Sequence, residues 1–298
     1  MRILLFLATN LAVLVLVGAV MSFFGEPMLA ANGVDLNLTG LLIFSAAFGF
    51  AGSLVSLFLS KWMAKRSAGV ELIEQPANKE QAWLRDTVEE LAQKAGIDMP
   101  DIGIFPSQQP NAFATGWNRN SALVAVSAGL LRTMKPNEVR AVLAHEIAHV
   151  ANGDMVTLSL VQGVVNTFVI FFSRVIGHVV DRVVLKNERG YGIGYMVTSI
   201  VAQIVLGFLA SAIVMWFSRY REFRADEGGA EFADRQSMIA ALQSLKRSAG
   251  QPDEMPQALQ AFGVSAGVRQ GLAAMFASHP PLDTRIEALR QLQTGIQR

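Results

Sequence analysis

His145, Glu146 and His149 are the residues whose types and spacing point most directly at chemistry. On a helix, two histidines four residues apart share one face, one turn above the other. Two imidazoles so placed bind one Zn2+. Glu146 lies about 100° further round the helix. It can reach water at the ion without ligating, which is what a general base in peptide hydrolysis requires. The alternative is an amphipathic helix carrying two surface histidines, a pattern that chance produces only rarely.

The flanking residues favour a helix. Pro136 suits a first helical position, and Gly153 suits the terminator. Val139, Val142, Leu143, Ile147 and Val150 recur at helical spacing as a buried stripe, with Asn137, Glu138 and Arg140 on the wet side. A catalytic zinc needs a third protein ligand and an open position. The chain has no cysteine, so the choice falls among His178, His279, Asp154, Glu222 and Asp226. His178 sits in a loop between apolar segments. Asp154 follows His149 too closely to wrap round the ion and suits a hydrogen bond at a helix end. Glu222 and Asp226 lie four apart, just after an apolar segment that returns the chain towards the histidines. One carboxylate can ligate while the other orients a ligating imidazole, and Glu222 is favoured as the ligand. The alternative for this pair is ion pairing with Arg219, Arg221 and Arg224 on a basic helix.

These residues sit in an unusually apolar chain. Of its 298 residues 52% are apolar and only 16% charged, too greasy for an ordinary soluble enzyme. Net charge is +1, and no basic cluster with interleaved aromatics points to nucleic acid. Ile3–Phe24 is an uncharged run too long for a signal-peptide core, hence an uncleaved membrane helix. A polar link, Gly25–Asn37, carries Glu26 and Asp35. Leu38–Ser60 is a second spanning run, in which Ser45, Gly49 and Ser53 form a small-residue face for close packing. Lys61, Lys65 and Arg66 follow it, so the positive-inside rule puts the N-terminus and everything after Lys61 in the cytoplasm.

From Ser67 the composition turns soluble. Glu80–Ala95 reads as an amphipathic helix closed by Gly96. Ile102–Phe105, Ala112–Thr115 and Ala122–Val126 read as strands, with a turn at residues 116–120. A strand just before the metal helix is either part of a core hairpin or has a free edge that pairs with an extended substrate. Two further apolar segments, Met155–Ser173 and Ile193–Ser218, flank a basic loop, Arg174–Gly192. Either this pair spans the bilayer or it dips in and packs on the domain. The basic loop favours incomplete crossing. The remainder is expected to be helical around Met238–Leu245 and Ile286–Leu292, with a link at Gln251–Gln260 and a flexible stretch at Gly263–Gly271.

The His-Glu-x-x-His of 145–149 followed by Glu222-Phe223-Arg224-Ala225-Asp226 resembles the gluzincin pattern. With the N-terminal apolar pair, Asn111-Ala112-Phe113-Ala114-Thr115-Gly116, and Ser278-His279-Pro280-Pro281 with Arg285, the chain resembles the HtpX-type heat-shock membrane proteases. These are relatives of the CAAX prenyl endopeptidases. The resemblance implies one Zn2+ per chain on His145, His149 and Glu222, with Glu146 as base and Asp226 supporting a ligating histidine. It also implies a catalytic or oxyanion-stabilising His279, and substrate contacts from Arg285, Asn111 and Phe113. Its implied task is quality control of misfolded membrane proteins at a bacterial inner membrane.

The expected architecture is therefore α+β, mainly α: a transmembrane hairpin (1–66), two cytoplasmic parts of a zincin-like catalytic domain with a small β-sheet (67–154 and 219–298), and an intervening apolar helical hairpin (155–218). The expected partners are protein substrates and the lipid bilayer. Rival readings are a prenyl-protein endopeptidase, an intramembrane protease, and a non-catalytic adaptor with structural zinc. Lys135, Asn137, Glu138 and Arg140 argue against burying the metal helix in lipid. The adaptor would close all four zinc positions with protein ligands and leave Glu146 without a task.

Overall fold

The computed structural model describes residues 2–187, 190–248 and 279–292; the expected link at Gln251–Gln260, the Gly263–Gly271 stretch and Ser278 lie outside the described residues. In chain order come α1 (Arg2–Val20), α2 (Glu26–Ala31), α3 (Leu38–Ala68), β1 (Glu71–Leu72), α4 (Lys79–Ala95), β2 (Asp101–Phe105), β3 (Ala112–Gly116) and β4 (Ala122–Ser127). Then follow α5 (Ala128–Thr133), α6 (Pro136–Asn152), α7 (Asp154–Val179), α8 (Ile193–Phe232), α9 (Arg235–Ser248) and α10 (Leu282–Gln291). The chain divides into two compact units, one made of Met1–Ser56 with Thr157–Val214 and the other of Leu57–Val156 with Met215–Arg298.

Among the described residues four helices are long and apolar enough to cross a membrane: Leu11–Ala31, Leu38–Ala68, Asp154–Val184 and Ile193–Phe232. Within the first unit, α3 packs on α7 through the expected small-residue face. A Cβ on Gly49 would sit 2.7 Å from the Thr167 backbone nitrogen and 2.8 Å from the Gly163 carbonyl, so a side chain there would force the helices apart. Ser45 and Ser53 are buried beside it, and Ser159 donates to the Ser53 carbonyl.

Two expectations for this unit need correction. The polar link of 25–37 is helical as far as Ala31, reached through a π-helical turn at Met21–Gly25. Pro27 is no obstacle, because its missing N–H falls in the first turn of α2. Glu26 accepts hydrogen bonds from the backbone N–H groups of Leu38 and Thr39, satisfying donors at the start of α3. The basic loop of 174–192 is likewise mostly helix. α7 runs to Val179 and a π-helical turn carries it to Val184, so Arg174 and Arg182 stand on helical backbone. Charge alone does not break a helix, and the residues from Arg174 to Val184 include neither proline nor a turn-forming dipeptide.

The second unit is a four-stranded sheet with helices. Strand order is β1-β2-β4-β3, with β2 and β4 parallel and the other pairs antiparallel. β4 is buried along its whole length, as its continuous apolar run demands. β3 pairs with β4 alone, so its outer edge carries no strand among the described residues. Leu84, Val88 and Leu91 of α4 meet Leu143 and Ile147 of α6, Leu242 of α9 and Leu289 of α10 in one core. Local chemistry sets the boundaries. Asn78 accepts from Gln81 N–H to start α4, and Gly96, at φ +65°, ends it. Glu138 accepts from Lys135 N–H at the start of α6, and Gly153, at φ +69°, stops that helix so that α7 starts at the next residue.

Candidate metal centre

α6 presents His145 and His149 on one face, their rings 4.7 Å apart and nearly perpendicular. α6 is packed so that its apolar stripe faces the core: Val139, Leu143, Ile147 and Val150 are each 2% exposed or less. The opposing helix is α8, which carries Glu222 and Asp226 one turn apart. Two glycines bring it close. A Cβ on Gly228 would lie 2.6 Å from the Ala148 Cβ, and one on Gly229 would lie 3.3 Å from the His145 backbone nitrogen. In an α-helix each glycine costs about 1 kcal/mol relative to alanine. Here the pair permits a helix contact that larger residues would block.

Each imidazole is held by its own carboxylate. His145 Nδ1 lies 3.0 Å from Asp226 Oδ1, and His149 Nδ1 lies 2.7 Å from Asp154 Oδ2. With those nitrogens donating, both Nε2 atoms keep their lone pairs and face the same residue. His145 Nε2 is 3.5 Å from Glu222 Oε2, and His149 Nε2 is 3.3 Å from Glu222 Oε1. One ligand atom from each of the three residues lies within 4.8 Å of the others. Ligands at about 2.0–2.1 Å from a tetrahedral Zn2+ are separated by roughly 3.3–3.4 Å, so this donor set fits such an ion. The fit also has a chemical reason. Two lone pairs aimed at a carboxylate repel it unless positive charge stands among them.

Burial sharpens the electrostatics. His145 and Glu222 are 5% and 2% exposed. Burial is the largest single influence on His145 and disfavours its charge, yet the hydrogen bonds it donates to Asp226 and Glu222 outweigh it and its pKa is raised. His149 behaves likewise: burial opposes, Asp154 and Glu222 prevail, and the pKa is pushed up to about 9. Arg285, also buried, donates from Nε and Nη2 to the two Asp226 oxygens at 2.7 and 2.6 Å, and its Nη1 stands 3.3 Å from Glu222. Arg221 donates to the Asp154 carbonyl and to Ser218, which holds the start of α7 against α8.

Beside this cluster is a cleft of about 270 Å³, lined by Asn111, Glu146, His279 and Arg285 among polar groups and by Val142, Met238, Leu242 and Leu245 among apolar ones. The structure thus brings together His145, Glu146, His149, Glu222, Asp226, His279, Arg285 and Asn111. His279 remains largely exposed, with its Nδ1 2.6 Å from Glu222 Oε2. Phe113 is different: it stacks against Phe105, 5.4 Å between ring centres, and does not line the cleft. Alternation along β3 explains this, since Ala112 and Ala114 are the residues that face the core. His178 belongs to the first unit and is not among the residues of the cluster. Asp154 is more than a helix-end residue, because the tight turn at Gly153 swings it back onto His149. A carboxylate just past a glycine stop is the sequence signal that points to it.

A His-His-Glu cluster able to hold a metal ion thus stands on two helices, beside a strand whose outer edge is unpaired among the described residues, an arrangement suited to metal-dependent peptide hydrolysis. Residues 78–293 match peptidase family M48, and the chain belongs to that family. With four helices among the described residues long and apolar enough to cross a membrane, it is a membrane metallopeptidase. It is 63% identical over 292 residues to "Protease HtpX" of Pseudomonas putida, covering 98% of this chain and 99% of that one. Identity and coverage are the same for "Protease HtpX" of Pseudomonas syringae pv. tomato. The crystal structure of S. mikatae Ste24p shares the fold, with a TM-score of 0.61 and 17% identity over 93% of this chain and 67% of that one.

Proposed function

We propose that the chain is a zinc endopeptidase that cleaves misfolded or damaged membrane proteins on the cytoplasmic side of a bacterial inner membrane. The observation that carries this reading is the pair of imidazoles, each held at Nδ1 by a carboxylate, with both Nε2 atoms facing Glu222. His145, His149 and Glu222 are the proposed ligands, and Asp226 and Asp154 orient the two imidazoles. A bound Zn2+ supplies Lewis acidity: it polarises the scissile carbonyl and makes water a nucleophile near neutral pH. Glu146, lining the cleft, takes the proton of the attacking water and hands it to the leaving amine. The outer edge of β3 pairs with an extended substrate segment, and Asn111 at the head of that strand meets its backbone. His279, at the cleft mouth, donates to the oxygen on which charge develops. Arg285 acts through Asp226 and Glu222, holding both carboxylates in place.

Charge distribution supports the orientation. Lys61, Lys65 and Arg66 follow the second apolar run, whereas Glu26 and Asp35 precede it. Residues 67–154 and 219–298 then form the cytoplasmic catalytic parts, and 1–66 with 155–218 the membrane part. The deciding experiment uses Glu146→Gln, purified in detergent beside the wild type. It should hold one zinc per chain while cleavage of unfolded casein falls by about 10²–10⁴-fold. Wild-type protein without stoichiometric zinc, or a variant cleaving at near wild-type rate, would overturn the reading.

A further inference from the structure

The first unit contains a cavity of about 800 Å³ that the peptidase chemistry does not use. It is bounded by the Val34–Asn37 connection, the first turns of α3, the last turns of α7 and the start of α8. Arg174, His178, Arg182, Tyr191, Tyr195 and Asp35 supply its polar and aromatic lining. Three helices long and apolar enough to cross a membrane end here together, and the ends of spanning helices meet a bilayer's headgroups.

Arg174 stands directly after the apolar run of α7, yet no carboxylate pairs with it among the described residues. Its Nη1 donates to the Tyr195 hydroxyl at 3.2 Å, and its Nε is buried without a partner. The nearby acid is already engaged elsewhere. Asp181 is buried and accepts from Asn187 Nδ2 and from the backbone N–H groups of Gly192 and Tyr195. Its role is to fix the connection into α8. Arg182 donates to the Asn187 carbonyl, and His178 Nδ1 to the Arg174 carbonyl. Two guanidiniums therefore face a cavity whose acid, among the described lining residues, is Asp35 at the rim. Tyr191, Tyr195 and His178 pack ring against ring, 4.6 to 5.2 Å between centres, as an aromatic wall. Leu41 and Phe44 of α3 supply an apolar flank.

An unpaired arginine at this depth is costly unless an anion meets it. A phosphate ester has the acceptors that a guanidinium fork requires. Tyrosines suit the polar–apolar boundary, and Leu41 with Phe44 offer a path for acyl chains. We propose that this cavity seats the phosphodiester headgroup of an anionic phospholipid, with Arg174 as its principal ligand and Arg182 beside it. The seat also accounts for a basic connection at this end of the helices: the lipid supplies the counter-charge that the described lining residues do not.

The test uses full-length protein in nanodiscs of phosphatidylcholine with or without phosphatidylglycerol, and native mass spectrometry to count lipids that survive mild activation. Wild-type protein should keep one phosphatidylglycerol per chain in preference to phosphatidylcholine. Arg174→Gln should weaken that retention about tenfold or more, the scale of one charge-assisted contact. Arg174→Lys should recover part of it, and unchanged zinc content would establish that both variants are folded. Retention by Arg174→Gln equal to wild type, or no preference between the two lipids, would overturn the proposal. Displacement of the lipid by millimolar glycerol phosphate or inorganic phosphate would also overturn it, because it would mark a site for soluble phosphate esters.

Discussion

Asp226→Asn separates two tasks that one carboxylate performs. Asp226 accepts from His145 Nδ1, and it also takes both arms of the buried Arg285 fork. The amide keeps the shape but loses the charge. Removing the partner of one ligating imidazole typically lowers metal affinity about 10–100-fold, equivalent to roughly 1.4–2.7 kcal/mol. The second loss is to stability. Arg285 is 5% exposed, and breaking a buried pair from one side costs about 3–5 kcal/mol. Glu222 remains 3.3 Å from Nη1, so the lower end applies. For a unit of this size about 3 kcal/mol corresponds to a melting shift of roughly 6–12 °C.

Asp154→Asn is the companion, because Asp154 supports His149 in the same way, while Arg221 hydrogen-bonds its backbone carbonyl and no guanidinium fork closes on its carboxylate among the described residues. Both variants should lose zinc affinity to a similar degree, measured by competition with a chromophoric chelator, while Asp226→Asn melts distinctly lower. Adding Arg285→Met to Asp226→Asn should restore most of the melting temperature and none of the zinc affinity. If the double variant regains zinc binding, Asp226 acts on the metal through Arg285 and the assignment to His145 fails.

Two further outcomes follow from the geometry. In chelator-stripped protein His149 titrates at about 9 and His145 is also raised, so zinc uptake at neutral pH must expel protons. Calorimetry in buffers of differing ionisation enthalpy should find at least one proton released at pH 7; heats independent of buffer would refute this. Because both pKa values are raised by folding, their stabilising effect is complete below the unfolded value of about 6.5 and fades as pH rises through about 9. Melting of the stripped protein should fall across that window. On topology, a reporter active only outside the cytoplasm should work at Asn32 and fail at Ala77. The same reporter at Lys186 should follow Asn32, since residues 34–37 and 190–191 line one cavity; a signal matching Ala77 would refute this.

Elements with strong local signals were legible. The α6 stripe, the Pro136 start, the Gly153 and Gly96 stops and the three main strands all stand where periodicity and turn chemistry put them, within a residue or two. β1, two residues long, and α5, six residues long, carry too little pattern to be read. The basic 174–192 segment misled for a physical reason. A net charge count treats a loop as exposed, whereas Arg174 and Arg182 sit on helix and face a cavity, and Asp181 is buried as a hydrogen-bond hub.

The metal cluster shows the same division between local and tertiary information. The His145–His149 face is a consequence of helix geometry alone, so spacing revealed it. Glu222 and Asp226 share a face as well, and spacing by itself cannot say which of them meets the ion. That ranking depends on how α8 crosses α6, and the crossing depends on Gly228 and Gly229. At those positions a Cβ would press on Ala148 and on the His145 backbone. With the helices this close, Glu222, one turn nearer the N-terminus of α8, reaches between the two Nε2 atoms, while Asp226 meets His145 at Nδ1. A consecutive glycine pair inside a helix is unfavourable by itself, by about 2 kcal/mol relative to two alanines. Its placement one residue after the Glu222–Asp226 turn is therefore the sequence feature that bears on the third ligand, and it acts through packing where the carboxylates act through charge.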